Sequence, residues 1–368
     1  MIAGNKQFVK PTRICLELTN HCNLTCVFCD REHLKQEGMV LNDMSSGMFE
    51  KILHDIETAY TRHDKLETLV LVGLGEPTLN RHLKQHLETI SGYSHLFRNV
   101  ELTSNAIPIT EQKAEMLLNS VINRFTFSVN FSDRETYAAM MGKDKFDAVI
   151  MNVRGFLALR ASKGSSVSVR IQLFTEVDTG HAELEILKGH FREYLQDPKV
   201  VFHLQPVYNK PVLQEDSRSL NVQKSLEMRH PCWCLYSIVY IDVEGFVYPC
   251  TIGNDSYRKN SALNIGNVFD EGLIQIFNGT LVNNARTRAE SCQLPFPECK
   301  ECNLWAIMPN LFKYRNRSEV WKKSQAYSAL TKVKARLSPA IEQLPYPVQN
   351  AIREIYALIL KSHNRRVS

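Results

Sequence analysis

The sequence has no cysteine from residue 30 to residue 231, although it has ten in all. Four lie between residues 15 and 29 and six between residues 232 and 302. So uneven a distribution points to two metal sites in two modules. It does not suit a disulfide framework, which goes with secretion. A secretory signal is missing too, because residues 1–10 have no apolar h-region. Residence in a reducing cytoplasm is therefore expected. No apolar run reaches the roughly 18 residues that span a bilayer. There is no large excess of one charge, since 44 Lys and Arg against 39 Asp and Glu leave a net +5. Without a basic stripe or an RNA-binding motif, nucleic acid is not expected as a partner. Residue-level repeats and low-complexity tracts are absent. What is present, 368 residues with 44% hydrophobic side chains, suffices for one large or two moderate globular domains.

The first cysteine group is Cys22-Asn23-Leu24-Thr25-Cys26-Val27-Phe28-Cys29. Three thiolates this close together can face one metal centre. Zinc and ferredoxin-type sites normally take four cysteines, and the nearby sequence offers no obvious fourth. A four-iron cluster held at three corners keeps one iron open for another ligand. Buried free cysteines need no fixed spacing, so chance clustering and a structural zinc site account less well for this run.

The run resembles the radical S-adenosylmethionine (SAM) superfamily, whose signature is Cys-x3-Cys-x-aromatic-Cys. Phe28 fills the aromatic place, and the lead-in Glu17-Leu18-Thr19-Asn20-His21-Cys22-Asn23 is similar to the family's approach to the motif. The resemblance implies a [4Fe-4S] cluster on Cys22, Cys26 and Cys29, with the amine and carboxylate of SAM on the fourth iron and Phe28 beside it. One electron would then cleave SAM and release a 5′-deoxyadenosyl radical. A one-electron donor such as flavodoxin or ferredoxin is implied as a partner.

Periodicity predicts strands at 13–20, 67–72, 99–103, 124–129, 167–174 and 200–204. It predicts helices at 45–59, 79–90, 110–118, 144–162 and 182–195, the first with Ser45 or Ser46 as N-cap. Strands alternating with helices indicate an α/β fold with a parallel sheet. The pattern alone does not separate a doubly wound sheet from a barrel. The resemblance implies a partial (β/α)6 TIM-like barrel over residues 1–210, with chemistry at the C-terminal strand ends.

Residues Gly73-Leu74-Gly75-Glu76-Pro77 end the second strand. They resemble the family's GGEP motif in a G-x-G-E-P form, which implies that Gly73, Gly75, Glu76 and Pro77 hold the methionyl amine of SAM. The plainer reading is a strand–helix turn with Pro77 near helix N1. Ser104 and Asn105 end the third strand and Ser128 lies near the end of the fourth. The resemblance implies SAM carboxylate or ribose contacts there, whereas the bland reading is turn capping. Arg170 lies inside the apolar fifth strand, where a charge needs a partner. The candidates are the SAM carboxylate, an acidic substrate group or a core carboxylate. His203, Gln205 and Pro206 end the sixth strand, where the family usually holds adenine.

The second module is expected over residues 211–312, after a linker and lid at 207–231. Cys232 and Cys250 flank a predicted β-hairpin, with Asp242-Val243-Glu244-Gly245 as a turn rather than a calcium loop. With Cys299 and Cys302 they make a four-thiolate set that suits zinc or an iron–sulfur cluster. The set resembles the SPASM and shorter twitch modules of radical SAM enzymes, which implies an auxiliary [4Fe-4S] cluster on Cys232, Cys250, Cys299 and Cys302. No cysteine follows Cys302, so the twitch type with one cluster is expected. Cys234 can exchange roles with Cys232. Cys15, Cys234 and Cys292 are otherwise unassigned. Cys234 and Cys292 are candidate hydrogen-atom donors to a substrate radical, because the module is expected to cover the barrel mouth. Residues 313–368 read as a basic helical tail whose stripe Val348, Ile352, Ile355, Tyr356 and Ile359 packs on the barrel or a partner.

The resulting expectation is a radical SAM oxidoreductase or epimerase. It would abstract hydrogen from an unactivated C–H bond of a small sugar- or cyclitol-like substrate. The barrel begins near residue 12 without a separate peptide-binding domain before it, which favours the small substrate. The alternatives are a ribosomal-peptide maturase acting on a precursor peptide and, from another class, a non-catalytic zinc-binding scaffold.

Overall fold

The computed structural model describes residues 8–175, 180–206, 232–251, 261–291, 293–300 and 302. The expected linker and lid at 207–231, the tail at 313–368 and Cys292 lie outside the described residues.

Six parallel strands form the core: β1 (Arg13–Leu16), β2 (Leu66–Leu71), β3 (Phe97–Ser104), β4 (Arg124–Asn130), β5 (Ser168–Thr175) and β6 (Val200–Pro206). They lie side by side in chain order, β1 to β6, with no reversal. That winding belongs to a barrel and not to a doubly wound sheet, and the sheet does not close, so the fold is α/β with a partial (β/α)6 barrel. The connecting helices are α1 (Arg31–Gln36), α2 (Ser46–Ala59), α3 (Leu83–Gly92), α4 (Glu111–Leu118), α5 (Arg134–Met141), α6 (Phe146–Ser162) and α7 (Gly180–Gly189).

Side chains alternate across each strand, and the register divides them. Ile14, Leu16, Leu69, Leu71, Leu102, Phe125, Phe127 and Ile171 are buried on the outer face. There Phe156 of α6 meets the rings of Phe125 and Phe127 edge-on. Met48, Phe49, Ile52, Leu53 and Ile56 give α2 one buried stripe, and the Ser45 hydroxyl caps its start by accepting from Met48 N. The inner face is polar. Register aligns Arg13 and Cys15 on β1, with Glu17 just beyond it, with Thr68 and the apolar Val70 on β2, Glu101 and Thr103 on β3, Thr126 and Ser128 on β4, Arg170 and Gln172 on β5, and His203 and Gln205 on β6.

The C-terminal module continues the same sheet. Its elements are α8 (Cys234–Ser237), β7 (Ile238–Ile241), β8 (Phe246–Tyr248), β9 (Gly266–Asn267), α9 (Leu273–Phe277) and α10 (Thr280–Glu290). Strand β7 pairs in parallel with the free edge of β1, and β8 and β9 add in antiparallel fashion. Nine strands therefore form one sheet. The hairpin turn is the one the sequence indicated: Asp242 Oδ1 accepts from the N–H groups of Glu244 and Phe246, and Gly245 adopts φ +83°. Ahead of β7, Cys234–Ser237 form a helical turn pinned by a bond from Ser237 Oγ to the Trp233 carbonyl. Asp55 of α2 accepts from Leu273 N, and Asn278 exchanges bonds with the Val9 backbone.

Candidate functional site

The three-cysteine loop leaves the C-terminal end of β1 and is held from several sides. Glu76 N donates to the His21 carbonyl and Val27 N to the Met140 carbonyl. Arg31 Nε donates to the Asn20 carbonyl, Lys143 Nζ to the Asn23 carbonyl, and Asn20 Oδ1 accepts from Asn42 N. Two glycines let neighbouring backbone come this close. A Cβ at Gly75 would overlap the Thr19 carbonyl and fall 2.6 Å from the His21 oxygen, and one at Gly142 would overlap the Thr25 side chain. Gly142 also takes φ +73°, so it both ends α5 and makes room for the loop.

Cys22, Cys26 and Cys29 are each partly exposed. Burial pushes the Cys22 thiol up, and burial followed by the neighbouring Cys29 and Cys22 pushes Cys26 up to about 12. Cys22 and Cys26 therefore hold their protons more tightly than a free thiol does, and ligation by a cationic centre would release them. Cys26 Sγ lies 3.8 Å from Met141 Sδ, and Asn105 Nδ2 lies 3.9 Å from Cys22 Sγ while donating to Asn23 Oδ1 at 2.7 Å. Asn105 is thus at the loop, as a side chain beside the cysteines.

The expected SAM residues distribute unequally. Phe28 packs edge-on against Phe174 at 5.1 Å and tilted against Phe131 at 6.2 Å, tying the loop to the ends of β5 and β4. Gly73 meets Glu17, where a Cβ would come within 2.6 Å of Glu17 Cβ, so both glycines of the motif are used first in packing against β1 and its loop. Glu76 is buried with both carboxylate oxygens engaged. Oε1 accepts from Thr78 N and Oγ1, and Oε2 accepts from Asn105 N. Pro77 opens a 3-10 turn, Pro77–Leu79, with Glu76 as its N-cap. Through these bonds Glu76 braces the motif. Ser104 corrects the sequence reading. It falls on the opposite strand face from Glu101 and Thr103, and its hydroxyl accepts from Ala106 N and bonds Glu76. Ser128 lies on the inner face, opposite Gln172. Arg170 pairs with Glu101 at 3.7 Å, the core carboxylate among its candidate partners, and its guanidinium stays part-exposed. Glu101 also holds Arg13 at 3.7 Å and accepts from Thr126 Oγ1 at 2.9 Å. Burial pushes Glu101 up, but Arg13, Arg170, Thr126 and Arg124 outweigh it and hold the carboxyl below its ordinary value.

Two features escaped the sequence reading. The first is a carboxyl pair at the mouth, Glu17 after β1 and Asp242 after β7, both buried. Glu17 Oε1 accepts from Leu74 N at 2.6 Å, and the Tyr240 hydroxyl and Val243 N–H also turn to this carboxyl. Asp242 Oδ2 accepts from Tyr248 Oη at 3.0 Å. Burial and then Asp242 push Glu17 up to about 8, and burial pushes Asp242 up to about 7. Alternation along the lead-in marked Glu17, but only the pairing of β7 with β1 sets Asp242 beside it. The second is Tyr137 of α5, fully buried, with a hydroxyl that has no partner among the described residues.

The second thiol group also gathers. Cys234 bonds the Cys232 and Cys250 thiols, and Cys299 lies beside Cys232, Cys250 and Cys302. Among the described residues, no three His, Cys, Asp or Glu side chains close on one point as a single metal ion requires. Cys234 also corrects an expectation. It precedes β7, whose first residue pairs with Arg13 at the start of β1, and Cys250 follows the returning β8. Both lie at the strand end away from the Cys22–Cys29 loop, not over the mouth. Strand β1 has four residues, which sets the two levels roughly 13 Å apart or more. In that company Cys234 is a ligand candidate and not a hydrogen donor facing the mouth.

Residues 16–173 match the radical SAM superfamily. Residues 232–303 match the SPASM iron–sulfur cluster-binding domain. This chain is a radical SAM protein with a C-terminal SPASM domain. The cofactors that go with these domains are a [4Fe-4S] cluster, SAM and an auxiliary iron–sulfur cluster. A probable GTP 3′,8-cyclase of Saccharolobus islandicus is 27% identical over 140 residues, 38% of this chain. The match spans only 41% of that relative's length. Among solved structures, anSMEcpe with bound AdoMet and Cp18Cys peptide superposes with a TM-score of 0.54 at 16% identity, covering 89% of this chain and 100% of that one. SuiB of Streptococcus suis bound to the precursor peptide SuiA superposes with a TM-score of 0.50 at 17% identity, covering 81% and 70%. These likenesses show the shared fold. No helix among the described residues is long and apolar enough to cross a membrane.

Proposed function

We infer that this protein is a radical SAM enzyme that abstracts hydrogen from an unactivated C–H bond of a small polyhydroxylated substrate, sugar- or cyclitol-like, and oxidises or epimerises it. The observation that carries the reading is the three-cysteine loop standing at the C-terminal mouth of a partial barrel whose inner face is polar. When bound, the reduced cluster and SAM supply the 5′-deoxyadenosyl radical. Cys22, Cys26 and Cys29 would hold that cluster, and Phe28 and Asn105 flank it. The 73–77 turn offers its backbone to SAM, with Glu17 and Glu76 bracing it from either side. Ser128, Gln172, His203 and Gln205 present hydrogen-bonding groups suited to substrate or SAM hydroxyls. The 5′-deoxyadenosyl radical would take a hydrogen atom from the substrate carbon and leave a substrate radical. Cys250, Cys299, Cys302 and Cys232 or Cys234 would hold the auxiliary cluster, which would take up one electron as the substrate radical loses one electron and one proton and an alcohol becomes a ketone. Return of a hydrogen atom from a thiol on the opposite face would invert the centre instead and leave a thiyl radical, to be restored by one electron from the one-electron donor and one proton; Cys292 is a candidate and lies outside the described residues.

A peptide substrate is the second reading, supported by the peptides bound in anSMEcpe and SuiB. The named activity of the cyclase relatives adds nucleotides to the set to be tested. The experiment is anaerobic reconstitution, then incubation with SAM and dithionite beside a Cys22→Ala/Cys26→Ala/Cys29→Ala variant. About eight irons in the parent and about four in the variant, with 5′-deoxyadenosine only from the parent, support the enzyme. Deuterated cyclitols, aminosugars, peptides and nucleotides are then compared for deuterium transfer into 5′-deoxyadenosine. Absence of iron sinks the whole reading; transfer from peptides alone replaces the substrate class.

A further inference from the structure

The inference that follows rests on the radical SAM reading and concerns Tyr137. Strand β4 ends at Asn130, which takes a left-handed φ of +68°. Asp133 then caps α5 by accepting from Thr136 N at 2.8 Å, and Gly142 closes the helix against Thr25. With both ends pinned, α5 has a fixed register over the cysteine loop. Residues four apart share a helix face, so Tyr137 and Met141 point the same way. Met141 Sδ touches Cys26 Sγ at 3.8 Å and lies 3.7 Å from Asn130 Nδ2. One turn back, the Tyr137 phenol lies within electrostatic reach of Cys26 and Cys22, with the Phe146 ring packed against it at 5.7 Å. Its ring is 0% exposed and its hydroxyl has no partner among the described residues. A buried hydroxyl without a partner is costly, and such a group in a folded protein calls for an explanation. The chemistry beside it supplies one. Cysteinate and sulfide sulfurs of an iron–sulfur cluster carry negative charge and accept hydrogen bonds, and such bonds help set the cluster potential.

We propose that Tyr137 donates its hydroxyl proton in a hydrogen bond to a sulfur of the cluster held by Cys22, Cys26 and Cys29, and so favours the reduced cluster. It is a positioning and tuning residue and exchanges no atom with substrate. The reduced cluster bears one more negative charge than the oxidised one, so the donor stabilises it more. Removing the hydroxyl moves the potential to more negative values.

The test is Tyr137→Phe, which keeps the ring and deletes one oxygen. Parent and variant are reconstituted anaerobically, iron is counted, and the EPR signal that SAM perturbs is titrated against potential. At a given potential the ratio of reduced to oxidised cluster should fall about tenfold, a shift of about 59 mV for one electron. Pulsed EPR of that reduced signal in D2O should show an exchangeable deuteron in the parent that the variant lacks. An unchanged or raised potential at full iron content overturns the proposal and leaves the radical SAM reading standing. If the variant takes up no iron, the parent decides alone, and a parent with no exchangeable deuteron at the cluster overturns it. A parent without a SAM-perturbed cluster overturns both.

Discussion

Replacing Glu17 by glutamine should change how stability depends on pH. Glu17 and Asp242 are buried together at the junction of β1 and β7. Burial, and then Asp242, raise Glu17 from 4.5 to about 8, and burial raises Asp242 from 3.8 to about 7. Both folded values lie above the unfolded ones, so the folded chain holds protons that the unfolded chain sheds. The stabilisation is complete below about pH 4 and is lost as pH rises through 7 and 8. For Glu17 alone, the interval from 4.5 to about 8 at 1.36 kcal/mol per pH unit amounts to about 5 kcal/mol. The pair titrates together, so the two contributions are not summed. Glutamine keeps the shape and the acceptor for Leu74 N and cannot ionise. Thermal unfolding of reconstituted protein at pH 5.5 and pH 9 is the assay. The parent should lose several kcal/mol between these values, and Glu17→Gln should lose markedly less. At pH 9 the variant should be the more stable protein. Parallel pH profiles for parent and variant would refute the reasoning, because Glu17 would then ionise in the fold as freely as in the unfolded chain.

Other expectations follow from the same geometry. Gly75→Ala puts a Cβ into the Thr19 and His21 backbone; overpacking of this kind costs about 1–3 kcal/mol, and the displaced loop should take up less iron by direct assay. Glu101→Gln removes the negative charge shared by Arg13 and Arg170 and leaves a single amide oxygen to accept from Thr126. The arginines keep some solvent, so the loss should be about 1–3 kcal/mol in urea unfolding, with iron content unchanged. Cys250→Ala should remove about four irons while the SAM-perturbed EPR signal persists; loss of that signal as well would mean that the two thiol sets are not independent.

The cysteine spacing placed the loop and the strand–helix alternation gave the six parallel strands, since both are local properties of the chain; the cofactors came from the motif's resemblance to a known family. Helix α2 with its Ser45 cap and the Asp242–Gly245 turn were legible for the same reason. Short capped helices were not. Helix α5 has eight residues and a polar sequence, so its period is weak, and with it Tyr137 and Met141 stayed hidden. Arg170 and Ser104 show the limit most clearly. Sequence showed a charge in an apolar strand and a serine at a strand end, and each suited a ligand. Register set Arg170 within reach of Glu101, more than sixty residues away in the chain, and turned Ser104 to the face of Glu76, partners that no local pattern announces. The addition of β7 to β1 likewise joined Glu17 to Asp242 and carried Cys234 to the end of the sheet away from the mouth. Motif chemistry is written in neighbouring residues and survives without the fold. Which charges pair, and which strand end a cysteine reaches, depends on pairings between distant segments that only the folded sheet creates.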